Sequence, residues 1–85
     1  MEYVTFRISL DRKFLNHFRH VYFPEFSIVQ EEENSVILDV KTWDYRYFYN
    51  AVFNYRNHCK IISPKDKKDF FKEVLKKTLK VYETD

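Results

Sequence analysis

The chain has 85 residues, 45% hydrophobic and 33% charged, which suits one globular domain over residues 1–85 and leaves too little chain for a second core. It contains no glycine, which excludes a Gly-rich phosphate loop, a dinucleotide fingerprint and a nucleophile elbow. The net charge of +2 is uneven, with eight Lys against three acidic residues over 60–80 and a sum of −1 over 1–59. That asymmetry is too mild for a dedicated nucleic-acid binder.

Nine Phe, seven Tyr and Trp43 make 20% of the residues aromatic, a large burial capacity for a small domain. Cys59 is the only cysteine, so no internal disulfide forms and a reducing, cytoplasmic setting is expected. No apolar stretch approaches a membrane span, and the first residues lack a signal-peptide layout.

From Val4 to Ser9 apolar and polar residues alternate, with Leu10 in phase, which predicts a half-buried strand. Asp11 is positioned to cap a helix whose inner face carries Phe14, Leu15, Phe18, Val21 and Tyr22, and Pro24 ends it. Residues 26–32 and 36–41 read as two strands joined through the acidic run Glu31-Glu32-Glu33 and Asn34. A solvated turn explains that run better than a metal site. Asp44 caps a second helix over 45–57, with Tyr45, Phe48, Tyr49, Val52 and Tyr55 on one arc, Phe53 at its margin and Tyr47 off it.

Residues 58–63 form a fourth, β-branched strand. Ser63-Pro64-Lys65-Asp66 then starts a last helix, with Ser63 as N-cap and Pro64 in the first helical position. Phe70, Phe71, Val74, Leu75, Thr78, Leu79 and Tyr82 should face inward. The order strand, helix, strand, strand, helix, strand, helix predicts an α+β, ferredoxin-like βαββαβ sandwich with an additional C-terminal helix. Right-handed crossovers place the first strand beside both the third and the fourth. The expected core holds Phe6, Ile8, Phe18, Leu38, Val40, Val52, Ile61 and Leu75.

Chemistry-bearing groups are sparse. His17 and His20 share the polar side of the first helix without a third ligand, so no metal is expected. His58 and Cys59 are neighbours that a strand sends to opposite faces, and Cys59 reads as a small buried hydrophobe. No cofactor and no enzymatic activity are expected. On the last helix Lys65, Lys68, Lys72, Lys76 and Lys80 form a stripe, which the interspersed Asp69 and Glu73 partly cancel. A solvated face is the preferred reading there.

The sheet face away from the helices carries Tyr3, Thr5, Arg7, Ser9, Ile37, Asp39, Lys41 and Trp43. Arg7, Lys41 and Trp43, with Arg46 nearby, are the candidate residues for a weak nucleic-acid or effector site. Tyr47 and Phe53, off the core arc, are the candidate interface residues.

Several of these segments resemble one family. Ile61-Ile62-Ser63-Pro64-Lys65-Asp66, followed by Phe71, Leu75, Leu79 and Tyr82, resembles the ending of WYL-domain bacterial transcriptional regulators. Val4-Thr5-Phe6-Arg7-Ile8 is similar to the first strand of their C-terminal extension, the WCX domain, and the stretch from Phe48 to Tyr55 to its middle helix. The family usually has Gly after that helix, where this chain has Arg56-Asn57, and Asn57 can take the left-handed conformation. Trp43-Asp44-Tyr45 is not the WYL motif, and the chain resembles only the regulator's tail, so DNA binding does not carry over.

The resemblance implies a regulatory module contributing to dimerisation and effector response. Its partners would be a second copy, or a WYL and helix-turn-helix region that this chain lacks. A nucleic acid or nucleotide would be a weak effector, and no membrane is involved. The alternative is a stand-alone binder of single-stranded nucleic acid using the open sheet face.

Overall fold

The computed structural model describes residues 2–83. It is a small α+β domain with strands β1 (Val4–Asp11), β2 (Ser27–Glu31), β3 (Ser35–Thr42) and β4 (Cys59–Ser63). The helices are α1 (Leu15–Val21), α2 (Tyr45–Tyr55) and α3 (Lys65–Glu83). The four strands form one antiparallel sheet in the order β2-β3-β1-β4, with β1 between β3 and β4 as expected.

The period-two pattern sets which face is buried. Phe6, Ile8 and Leu10 of β1 and Val36, Leu38 and Val40 of β3 are fully buried, and in register Phe6 faces Val40 and Ile8 faces Leu38. Over this face lie Phe18 of α1 and Phe48, Val52 and Tyr55 of α2, with Cys59 and Ile61 of β4 completing the core. The Phe6 and Phe48 rings stack at 3.9 Å, and Tyr45 and Tyr49 meet Phe6 edge-on. Offset stacking and edge contacts suit the aromatic quadrupole, so these rings contribute packing beyond their area.

Asp44 caps α2 as predicted: its carboxylate accepts from the Tyr47 amide at 3.0 Å. The helix ends at Tyr55, short of the expected residue 57, in a tight 3₁₀ turn over Arg56–His58. There the positive φ falls on Arg56, at φ 56° and ψ −123°, and not on Asn57. The chain thus places an arginine in a conformation that glycine adopts without strain.

Several other expectations are corrected. Asp11 does not cap α1, because β1 runs through it and its carboxylate pairs with His58 Nδ1 at 2.6 Å. A 3₁₀ turn over Arg12–Phe14 comes first, α1 keeps only seven residues, and Val21 points outward. Ser63 is not a cap either, since β4 extends through it and the Lys68 amide donates to the Pro64 carbonyl at 2.9 Å.

The largest correction concerns α3. None of its 19 residues is buried. Phe71 reaches the core margin and stacks on Tyr49 at 5.6 Å, and Phe70 leans on the same ring. Val74, Leu75, Leu79 and Tyr82 are exposed, so Leu75 leaves the expected core. Only the first turns of α3 are covered, because the two-helix layer over the sheet is already filled by α1 and α2.

The acidic turn between β2 and β3 is held by Arg12, which pairs with Glu31 at 3.0 Å and also donates to the Glu32 carbonyl. The edge strand β2 is exposed along its whole length.

Candidate functional site

The open sheet face does not gather its four candidate residues. Arg7 and Asp39 are register partners on β1 and β3, so their side chains meet across the strands. The guanidinium donates to both carboxylate oxygens, Nε to Oδ1 at 2.8 Å and Nη2 to Oδ2 at 3.0 Å. This fork holds the Asp39 carboxyl below the usual carboxylate range and raises the Arg7 pKa in turn. Lys41 stands over the Tyr3 ring at 5.4 Å. Trp43 is half exposed beyond the end of β3. Arg46 lies elsewhere, in a shallow groove between α2 and α3 with Tyr49 and Phe70. An arginine engaged by a carboxylate in this way is a poor phosphate donor.

The sign of the Asp39 shift gives a pH prediction. A depressed folded-state pKa adds stability above the unfolded-state pKa, and that stability is lost as pH falls through the folded value. Carboxyl NMR titration should show Asp39 titrating below the usual carboxylate range, and Arg7→Gln should return it toward that range. An unshifted Asp39 in the unsubstituted chain would mean that the pair is open in solution. Both side chains face water, so the gain in fold stability is small.

The two candidate interface aromatics separate. Tyr47 donates its hydroxyl to the carbonyls of Val21 and Tyr22, at 3.2 and 3.1 Å, and packs its ring on Tyr22 and Phe23. It therefore fastens the end of α1 to α2 within the chain. Phe53 stays open, 49% exposed, on the far side of α2.

His17 also differs from expectation. Its Nδ1 lies 2.7 Å from the Tyr55 hydroxyl, and its ring meets Tyr22 and Tyr55 edge-on. Burial pushes the Tyr55 hydroxyl well above the tyrosine range. His20 turns back to donate to the Asn16 carbonyl at 2.8 Å. Among the described residues no three His, Cys, Asp or Glu side chains converge on one point.

Phe53 leads to a site that sequence reasoning missed. Between the end of α2, strand β4 and the first half of α3 lies a groove of about 690 Å³. Its walls are apolar: Val52 and Phe53 from α2, Cys59 and Ile61 from β4, Phe71 and Leu75 from α3. Arg56, Lys60, Lys68 and Lys72 bring four cations to it. None of these four makes an ion pair among the described residues, whereas Lys65 is taken by Asp69 and Lys76 by Glu73. Asp69 also feels Lys72 and Lys68, at longer range than its hydrogen bond from Lys65. Burial, and secondarily Asp11, pushes the Cys59 thiol up to about 12, so this sulfur stays a neutral, weakly nucleophilic part of the wall.

Arg56 reaches the groove from its strained backbone position at the end of α2. The alternation of Lys68, Phe71, Lys72 and Leu75 at i, i+3, i+4, i+7 was a readable signal for the α3 side. Nothing in the sequence brings residues 52–61 to it. No family model matches the chain, and no curated protein matches it.

Proposed function

We propose that this chain is a non-catalytic regulatory and assembly module, a WCX-like C-terminal extension of a WYL-type transcriptional regulator, on a ferredoxin-like βαββαβ sandwich with an added helix. The strand order supports this topology: β1 and β2 run the same way with β3 between them, and β3 and β4 run the same way with β1 between them. The motifs around Ser63-Pro64 and along α3 support the family reading. The module works in the bacterial cytoplasm and requires no cofactor.

The carrying observation is α3, a 19-residue helix that presents Val74, Leu75, Leu79 and Tyr82 to solvent on one side. An apolar stripe of that length suits a polypeptide interface better than water. In the regulator it meets the upstream domains or a second copy, and in the isolated chain a second copy covers it. Among the described residues no helix is long and apolar enough to cross a membrane. The reading of a stand-alone nucleic-acid binder on the open sheet gains nothing from the geometry, since Arg7 is engaged by Asp39.

Sedimentation of the isolated chain over a concentration series tests the assembly role. The expected result is a weak, concentration-dependent dimer that Leu79→Glu abolishes without unfolding the domain, because Leu79 is 58% exposed. A monomeric mass at millimolar concentration would overturn self-association through α3.

A further inference from the structure

We propose that the groove between α2, β4 and α3 is a binding site for a small phosphate monoester with a flat, apolar body. This gives the effector response of the proposed function a place and a ligand class. It therefore rests on that reading, and because Leu75 belongs to both surfaces its test is made at concentrations below self-association, where ligand affinity and dimer formation are read separately.

Three observations carry it. The volume, about 690 Å³, lies in the range of small-molecule sites, about 300–1,000 Å³, and the walls are mainly apolar. Phe53 and Phe71 offer ring faces or edges to a flat ligand body. None of the four cations is closed into an ion pair among the described residues, and lysines outnumber acidic residues eight to three over 60–80. The groove therefore carries a positive excess that attracts a group with more than one negative charge. A phosphate monoester is such a group, and its oxygens match the fork of an arginine.

Arg56 supplies the most specific argument. Its φ of 56° with ψ −123° is a conformation that glycine adopts readily and a side chain only under strain. Glycine there would relieve that strain and remove the guanidinium. An arginine held at a strained position beside Lys60, Lys68 and Lys72 is explained if its guanidinium engages the ligand. Stability and binding should therefore move in opposite directions in Arg56→Gly, an outcome that a purely structural role does not produce.

The experiment uses the full chain and three probes at low salt: 2-naphthyl phosphate, 2-naphthol and inorganic phosphate. Calorimetry should show the ester binding about tenfold or more tightly than either half, as expected when charge-assisted hydrogen bonds and apolar contact act together. Methyl NMR shifts should centre on Val52, Ile61 and Leu75. Arg56→Gly should raise the midpoint of thermal unfolding while weakening the ester about tenfold or more. Lys77→Gln removes one charge from α3 outside the groove and should weaken it less than about threefold.

Equal affinity for naphthol and its phosphate would overturn the proposal. So would equal losses in Arg56→Gly and Lys77→Gln, which would reduce the effect to net charge. Arg56→Gly that binds normally would also overturn it. Displacement of the ester by an acidic peptide that binds more tightly would reassign the groove to a polypeptide partner.

Discussion

Replacing Phe48 by alanine should cost the fold about 3–5 kcal/mol, among the largest effects expected of a single substitution in this chain. Phe48 is fully buried on α2, where its ring stacks on Phe6 and also touches Phe23 and Tyr49. Its loss opens a cavity at the point where α2, the end of α1 and the middle of β1 meet. A domain of this size has a total stability of about 4–13 kcal/mol, so the variant loses a large fraction of it and reaches the edge of unfolding at the low end of that range. Urea denaturation followed by circular dichroism measures this directly. A loss below about 1 kcal/mol would mean that the stack is not a core element.

The second expectation contrasts two adjacent residues. Leu38 is fully buried opposite Ile8, while Ile37 lies on the open face opposite Ser9. Leu38→Ala should cost about 2–5 kcal/mol, and Ile37→Ala about 1 kcal/mol or less, because side chains alternate between faces along a strand. The same denaturation experiment distinguishes them. Equal costs, or a reversed order, would place β3 one residue out of phase, an error that would move every side chain of the strand to the other face.

The phases of β1 and β3 were legible because alternation over six residues encodes one buried face directly. The same holds for the start of α2, where Asp44 acts locally on the Tyr47 amide. What α3 faces was not legible. Its spacing shows that Phe71, Val74, Leu75, Leu79 and Tyr82 share a side, but periodicity is blind to whether a layer is already full. Asp11 shows a related limit: it has the composition of a cap, yet His58, 47 positions away, is the partner it takes. For Arg56, turn chemistry favours Asn57 at the left-handed position, and the short 3₁₀ segment moved the strain one residue earlier.

The groove escaped sequence reading because its walls come from three segments, none with a motif of its own. On the open face the candidate residues were correctly oriented but counted one by one. Arg7 and Asp39 became a pair only once the register of β1 and β3 set them opposite each other.

The far turns of α3 carry a different consequence. None of the residues from Lys76 to Tyr82 is buried, so local terms such as the Lys76–Glu73 pair and intrinsic propensity weigh heavily in their helicity. Thr78, whose hydroxyl donates back to the Val74 carbonyl at 2.8 Å, is among the weaker helix formers in that stretch. A partner that seats on this stripe therefore also holds the outer turns in their helical form, and any fraying it must reverse is subtracted from the affinity. Assembly strength then becomes adjustable at solvent-facing positions that no partner touches, simply by making the unbound helix more or less wound in advance.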